Sequence, residues 1–362
     1  MRRPSIPAGI VLVALAMGCH REVEMIPLIE RTIYPRTDRF YDVQALSKDR
    51  AIVVGYGGKV VETRDRGRNW TILPTGVDVA LYGVRFVDDD RGWIVGQDGL
   101  ILATADGGKT WTKQESNATF EESDGAVKRA YLFNVAATDA QHAWAVGDRS
   151  ILTSTSDGGQ TWRSRKLQME GDLSGGQSLA AADPILYDVK FVDPQNGWIV
   201  GEFGKILRTR DGGETWKEQT KSLLEGTEFF DLLDLPTLFG LDAADTQHAV
   251  AAGLEAHIAG TSDGGEKWAY KKTEGGEVKL QDPLYDVVRL SDGSGWSVGA
   301  AGQVVKTEAG SDVWTRANIG QDVSTWLRAL SFSDPQYGWL VGGYGLIYHT
   351  EDGGKSWLPV QG

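Results

Sequence analysis

The octapeptide Thr209-Arg-Asp-Gly-Gly-Glu-Thr-Trp216 decides the fold, because its pattern Thr-x-Asp-x-Gly-x-x-Trp recurs along the chain. Six copies keep the pattern in full, at residues 63–70, 104–111, 155–162, 209–216, 261–268 and 350–357. A seventh copy, at 307–314, has Ala309 and Ser311 in place of the aspartate and the glycine. A period of this kind has to be assigned before individual residues are interpreted.

The residue types of the octapeptide predict a tight β-hairpin. Glycine adopts the left-handed backbone that such a turn requires, and the aspartate can accept backbone N–H groups across the turn. The tryptophan starts the next strand and can pack beneath the turn. We therefore interpret the six aspartates as structural rather than catalytic: Asp65, Asp106, Asp157, Asp211, Asp263 and Asp352.

The unit around the octapeptide predicts an all-β fold. Successive hairpin tryptophans lie 41, 51, 54, 52, 46 and 43 residues apart, close to the roughly 40–50 residues of a four-stranded propeller blade. Strand-like runs at 186–191, 197–201, 205–209 and 215–219 make up one unit. The sequence thus predicts a seven-bladed β-propeller of four-stranded blades over residues 39–362, with most tryptophans in the core between blades.

The N-terminus predicts a lipoprotein signal at residues 1–18. Arg2 and Arg3 precede a short apolar run, and Ala16-Met-Gly-Cys19 ends it, which is typical of an export signal too short to span a membrane. Cys19 is the only cysteine, so it has no disulfide partner. We expect Cys19 to carry the lipid, residues 19–38 to link it to the propeller, and the protein to lie in the bacterial cell envelope. A plain cleaved signal is the alternative, and 24–30 is a candidate extra outer strand.

Composition restricts the partners. The formal net charge of −13 disfavours nucleic acid and anionic surfaces. One cysteine and five scattered histidines give no metal-site pattern, and no phosphate-binding loop is present. We expect no cofactor, no metal and a monomer.

One face of the ring is the expected working face, because long links and the turns between second and third strands share it. Those turns carry Tyr56, Asp98, Asp148, Arg149, Glu202, Phe203, Glu255, His257 and Tyr344. The link 220–236 contains an apolar and acidic stretch ended by Pro236. Its candidate partner-binding residues are Phe229, Phe230, Leu232 and Leu233, with a lid packed onto the ring as the alternative.

A second candidate site is the central channel. The innermost strand starts with an aromatic residue in six blades and with Arg328, beside Trp326, in the seventh. An aspartate follows in three of them, as in Tyr187-Asp188 and Tyr285-Asp286. These side chains can form a funnel for a small ligand or cation, or they can be packing and solvated edges.

The octapeptide is the Asp-box, or BNR repeat, and the whole unit resembles the photosystem II stability/assembly factors. The resemblance rests on Phe191-Val-Asp-Pro-Gln-Asn-Gly-Trp-Ile-Val-Gly-Glu-Phe-Gly-Lys-Ile206 and on Gly338-Trp-Leu-Val-Gly342, and it covers about residues 39–361. It implies a propeller that binds a nascent membrane protein through a basic patch, to which Arg328 can belong. The sialidase motif Phe/Tyr-Arg-Ile-Pro is absent.

Two functions follow. The first is a non-enzymatic, lipid-anchored scaffold that presents one face to an exported or membrane protein. The second is a glycan-binding protein or glycoside hydrolase, and a hydrolase would need a pair of carboxylates either about 5–5.5 Å or about 6.5–9.5 Å apart. Its candidate donors are Asp98, Asp148, Glu202 and Glu255.

Overall fold

The structure, a computed structural model, describes residues 32–122, 124–168, 183–225, 227–276 and 280–360. Seven blade sheets follow one another along these residues, and the four blade strands of each sheet pair antiparallel in chain order. Neighbouring first strands contact each other all round the ring, including blade 1 with blade 7. The prediction of a seven-bladed β-propeller with four-stranded blades is confirmed.

The strands are given from blade 1 to blade 7. The first, innermost strands are Phe40–Ala45, Leu81–Phe86, Leu132–Ala137, Leu186–Phe191, Leu238–Ala243, Leu284–Arg289 and Leu327–Phe332. The second strands are Ala51–Gly55, Gly92–Gly96, Ala143–Gly147, Gly197–Gly201, Ala249–Gly253, Gly295–Gly299 and Gly338–Gly342. The third strands are Val60–Thr63, Ile101–Thr104, Ile151–Thr155, Ile206–Thr209, Ile258–Thr261, Val304–Thr307 and Ile347–Thr350. The fourth, outer strands are Thr71–Ile72, Thr112–Gln114, Arg163–Lys166, Lys217–Glu218, Ala269–Tyr270, Val313–Arg316 and Leu358–Pro359.

Several short elements decorate the blades. A hairpin, Thr119–Glu121 and Val127–Arg129, lies between blades 2 and 3. The strand Lys272–Glu274 adds to the outer edge of blade 6 by parallel pairing with Val313–Arg316. Single 3₁₀ turns follow the second strand at Tyr56–Gly58, Gln97–Gly99, Asp148–Ser150, Leu254–Ala256, Ala300–Gly302 and Gly343–Gly345. Two more 3₁₀ turns, Thr220–Leu224 and Leu232–Asp234, lie in the link after blade 4. Among the described residues, no helix has the length and hydropathy to cross a bilayer.

The core lies between the blades, as predicted from the tryptophans. Apolar clusters join each blade to the next around the ring. Between blades 4 and 5, Trp198 of a second strand and Trp268 of an Asp-box are both fully buried. The second strands are buried along their whole length because each is covered on both faces by neighbouring blades. Each sheet therefore depends on its neighbours for burial, which is the energetic basis of a closed ring.

The Asp-box hairpins have the predicted geometry. In blade 4, Asp211 Oδ1 accepts hydrogen bonds from the backbone N–H of Thr215 (2.9 Å) and from Thr209 Oγ1 (2.8 Å). Gly213, at φ 89°, donates its N–H to the same hydroxyl. The other five intact copies repeat the backbone bond to the aspartate. In the seventh copy, Thr307 Oγ1 instead bonds the carbonyl of Ser311 (3.0 Å).

A strap of residues 32–39 crosses the junction of blades 7 and 1. The N–H of Arg36 bonds the carbonyl of Tyr344 (3.1 Å), and the N–H of Gly345 bonds the carbonyl of Asp38 (2.8 Å). Ile33 is buried in the apolar cluster between these blades. The strap starts before residue 39, where the sequence places the start of the propeller. The signal at 1–18, Cys19 and the candidate strand at 24–30 lie outside the described residues.

Candidate functional site

Six aromatic side chains form a ring around the channel, at the face that carries the turns between second and third strands, here called the upper face. They are Tyr41, Tyr82, Phe133, Tyr187, Phe239 and Tyr285, and neighbouring centroids lie 5.0 to 5.6 Å apart. In blade 7 the position belongs to Arg328, whose guanidinium lies 5.7 Å from the Tyr285 ring centroid. Trp326 stacks on Tyr41 at 5.8 Å. The structure thus brings Tyr187, Tyr285, Trp326 and Arg328 together at one channel mouth.

The aspartates that follow these aromatic residues connect neighbouring blades. Asp188 accepts the N–H of Leu241 in blade 5 (2.7 Å) and the side-chain amide of Asn134 in blade 3. Asp286 accepts the N–H of Leu330 in blade 7 (2.9 Å), and Asp42 bonds blade 2 in the same way. Gly240 holds the equivalent position in blade 5, where a β-carbon would lie 2.6 Å from the Asp286 Cα of blade 6, so these blades pack closely at this level. This arrangement favours a structural role for these carboxylates over a role in ligand binding.

Burial in the channel wall changes the protonation of these groups. Desolvation raises the pKa of Asp42 to about 6 and that of Asp188 to about 7. Desolvation, together with the charge of Asp188, raises the pKa of Asp286 well above its ordinary value. All three carboxyl groups therefore hold their proton to a higher pH than exposed aspartates do.

The other half of the channel is an open, polar cavity of about 460 Å³. Charged side chains at the ends of the first strands line it, among them Arg85, Lys190, Asp242 and Arg289. Lys190 forms an ion pair with Asp242 at 2.8 Å. Burial lowers the pKa of Arg85, although the charges of three nearby aspartates act in the opposite direction. Sequence reasoning did not select these residues, although their alternation with buried valines and leucines along the strand was a usable signal.

The link 220–236 divides the predicted partner-binding residues into two pairs. Phe229 and Leu232 pack against the cluster between blades 4 and 5, and the Phe229 ring lies 5.8 Å from His257 and 6.0 Å from Tyr270. Phe230 is 96% exposed and Leu233 37% exposed. The link is therefore both a lid, as the alternative had it, and a support for an exposed apolar pair.

The short turn that carries Leu233 is internally fixed. Asp231 accepts the N–H of Leu233 (3.1 Å), and Asp234 accepts the N–H of Asp231 (3.2 Å), which makes a reciprocal cap. Glu228, Asp231 and Asp234 are exposed around the apolar pair. We call Phe230, Leu233 and these three acidic residues the acidic knob.

The candidate carboxylates of a glycosidase serve the backbone or lie on exposed turns. Asp148 accepts the N–H of Tyr131 (2.9 Å), and Glu202 accepts that of Ile185 (2.8 Å), so each fixes the link that enters its own blade. Asp98 and Glu255 are exposed at left-handed turn positions. Within the described residues, no group of three His, Cys, Asp or Glu side chains has the geometry to hold a metal.

Comparison with known proteins identifies relatives over most of the ring. The family model for the photosynthesis system II assembly factor YCF48 matches residues 30–121, 121–176, 175–236 and 272–361. The photosystem II assembly lipoprotein Ycf48 of Synechococcus sp. (strain CC9902) is 31% identical over 188 residues, which is 51% of this chain and 49% of that protein. The chain thus spans about half the length of that relative. Ycf48 of Prochlorococcus marinus (strain MIT 9313) is 25% identical over 55% of this chain and 78% of its own.

A solved structure of YCF48 bound to a D1 peptide has the same fold. It superimposes with a TM-score of 0.57 and 21% identity, covering 77% of this chain and 80% of that one. At this identity the likeness concerns the fold alone. The resemblance drawn from the repeat unit is confirmed.

Proposed function

Because the chain belongs to the photosynthesis system II assembly factor YCF48 family, we propose that it is a non-enzymatic assembly scaffold. In this proposal it is an exported lipoprotein that holds a segment of an exported or membrane protein on the upper face of the propeller. The relatives are named for photosystem II assembly, and one solved YCF48 holds a D1 peptide. For this chain, the proposed partner is a protein segment whose chemistry complements that of the acidic knob.

The acidic knob carries the proposal. An almost fully exposed phenylalanine on a capped turn is unfavourable in water unless a partner covers it. Phe229 and Leu232 fix the base of the link, so Phe230 and Leu233 are held out with little conformational entropy left to lose on binding. Aromatic anchors surrounded by charge are typical of binding hot spots. The acidic rim selects a segment that combines an apolar residue with lysine or arginine.

Two observations support a role without catalysis. Asp148 and Glu202, half of the candidate carboxylates, are committed to backbone N–H groups. The Asp-box carboxylates are likewise occupied within their own hairpins. A glycosidase needs one carboxyl free to donate a proton and a second free to attack or to activate water.

The lipid anchor is proposed from Cys19, the only cysteine of an exported chain, and the relatives named lipoproteins support it. We expect the wild-type protein to sediment with membranes and to enter the detergent phase on detergent phase separation. Cys19→Ser should move it to the aqueous fraction. Aqueous behaviour of both proteins would exclude the anchor.

Affinity capture from crosslinked native membranes tests the scaffold. The full chain should retain one dominant protein partner, and Phe230→Ser with Leu233→Ser should lose it. The matched control is Ile72→Ser with Leu358→Ser, which removes two similarly exposed apolar side chains from outer strands. Capture of the same proteins by all three chains, or of none by any, would overturn the proposal. Phe229 and Leu232 stay unchanged because their loss would disturb the fold.

A further inference from the structure

Three exposed tyrosines lie together where blades 7 and 1 meet. Tyr34 is on the strap, and Tyr56 and Tyr344 are on the upper turns of the two blades. They are 42%, 59% and 56% exposed, respectively. Blades 7 and 1 are on the opposite side of the ring from blade 4, so this cluster and the acidic knob occupy opposite parts of the upper face.

The backbone around this cluster is strained. Tyr344 has φ 59° and Arg36 has φ 74°, and their backbones are joined by a hydrogen bond. Left-handed backbone is unfavourable for residues with a β-carbon, but every blade uses it at this turn, with Gly57 in blade 1 and a residue that has a β-carbon in the other six. Since the Tyr344 side chain is mostly exposed, packing in the ring does not account for its position. The left-handed turn thus belongs to the repeat, and what distinguishes Tyr344 is an exposed aromatic side chain whose backbone is bonded to the strap.

Arginines accompany the tyrosines. Arg36 and Arg39 are exposed, and within the described residues neither joins the ion pairs with carboxylates. The Arg39 guanidinium lies 5.8 Å from the centroid of Tyr56. Lys59 lies 5.2 Å from the Tyr34 ring and forms an ion pair with Asp38, which neutralises both charges. We call Tyr34, Arg36, Arg39, Tyr56 and Tyr344 the strap patch. It is cationic on a chain whose net charge is −13.

The strap patch is also where the described chain begins. Thr32 follows Cys19 by thirteen positions, and a chain of that length reaches at most about 45 Å when fully extended. A lipid on Cys19 would therefore keep the strap within that distance of a bilayer. Tyrosine is enriched at the level of lipid headgroups, and guanidinium groups form strong hydrogen bonds to phosphate.

We propose that the strap patch lies against the surface of an anionic bilayer and orients the propeller there. The proposal rests on the lipid anchor, and it adds a second, non-covalent contact. One acyl chain alone holds a protein marginally, and a cationic patch is a common second contribution. The net negative charge of the whole chain opposes contact with the same bilayer, so contact is favoured where a cationic patch lies close to the lipid. The acidic knob, on the far side, stays accessible to a partner.

Vesicle co-sedimentation tests the contact without the lipid. The probe is the full chain carrying Cys19→Ser, mixed with vesicles of phosphatidylcholine alone or with added phosphatidylglycerol. We expect binding to the anionic vesicles, little binding to phosphatidylcholine, and weakening by salt. Arg36→Gln with Arg39→Gln should weaken binding about 25-fold, from the contribution of a basic residue near an anionic surface. Tyr34→Ser, Tyr56→Ser and Tyr344→Ser together should abolish it.

The control for charge is Arg163→Gln with Arg316→Gln, two exposed arginines of outer strands, and it should bind like the parent. Thermal unfolding verifies that each variant is folded. Absence of sedimentation with anionic vesicles, or equal loss in the control, would overturn the proposal. Binding to immobilised polyglutamate without binding to vesicles would also overturn it, and would indicate an acidic peptide as occupant. Because this probe carries no lipid, its failure to bind vesicles would not contradict the lipid anchor or the acidic knob. Each of those is tested by a separate experiment.

Discussion

Two sets of aspartates accept backbone N–H groups in this propeller, in opposite surroundings. Asp211 bonds within its own hairpin at the ring surface, whereas Asp188 bonds a neighbouring blade in the wall of the channel and is only 6% exposed. The hydrogen bonds of the Asp-box keep the pKa of Asp106 and Asp157 at about 2. Burial raises the pKa of Asp188 to about 7. The backbone hydrogen bonds favour the charged carboxylate in both regions, but in the channel wall burial outweighs them and favours the protonated group.

The difference in pKa between the two sets predicts that the free energy of unfolding is greatest in mildly acidic solution. This is the largest of the expected effects. A carboxyl group whose pKa is raised on folding keeps its proton between about pH 4 and pH 7, where the unfolded chain has lost it. The free energy of unfolding should thus fall as the pH rises through that range, by about 4 kcal/mol for Asp188 alone. Below pH 4 the Asp-box groups, whose pKa is lowered, lose their contribution as the pH falls towards 2. Urea unfolding at a series of pH values measures both limbs.

Asp188→Asn separates the two limbs. It should reduce the decrease between pH 4 and pH 7, to which Asp42 still contributes, and leave the acid limb unchanged, because the Asp-box carboxylates remain. An unchanged upper limb would show that Asp188 titrates as an exposed group.

Asp188→Ala should be the most destabilising single substitution of this comparison. It removes the acceptor for the N–H of Leu241 and the amide of Asn134 at once. Leaving two donors unpaired in the wall costs about 3 kcal/mol, measured as a lower midpoint of urea unfolding at constant pH. Asp42→Ala is the matched substitution, since it removes one inter-blade bond rather than two and should cost less. Equal, small losses in both would mean that solvent satisfies these donors.

Asp211→Ala should cost less, about 1–2 kcal/mol, because the N–H of Thr215 is exposed and water replaces the lost acceptor. Hairpin formation is local, so the loss should not depend on the neighbouring blade. A double-mutant cycle with Asp188→Ala checks this, since distant and independent sites are additive. Strong coupling between the two losses would contradict the independence of the hairpin from the channel wall.

The Asp-box illustrates what the sequence could specify. Residue spacing within eight positions determines the turn, so the six Asp-box aspartates could be assigned a structural role from the sequence alone. The seven blades followed from the period of the tryptophans, because each unit can bury its faces only against copies of itself. These are local or repeated features; the structure confirms the seven blades, and it places each Asp-box carboxylate in hydrogen bonds of its own hairpin.

The contacts in the channel and on the upper face could not be predicted from the sequence, because they depend on how the blades pack in three dimensions. Asp188 and Asp286 were visible as carboxylates after an aromatic residue, but the backbone N–H groups that they accept come from the neighbouring blade and are identified only by the packing of the ring. Phe229 and Phe230 are adjacent in sequence, and only the packing of blades 4 and 5 separates the buried ring from the exposed one. Tyr34 was not selected at all, because its neighbours Tyr56 and Tyr344 are brought to it by closure of the ring.

The decayed seventh hairpin gives the smallest expected effect. At 307–314 the turn has Gly310 at φ 76° and a bond from Thr307 to the carbonyl of Ser311. Ala309→Asp with Ser311→Gly restores the intact pattern and should raise the free energy of unfolding by less than about 1 kcal/mol, because one exposed set of hydrogen bonds replaces another. Ala309→Asp alone is the control. Without a glycine for the left-handed position the turn cannot take up the Asp-box geometry, so this variant should gain nothing. A gain from the aspartate alone would mean that the carboxylate, rather than the turn, limits the hairpin.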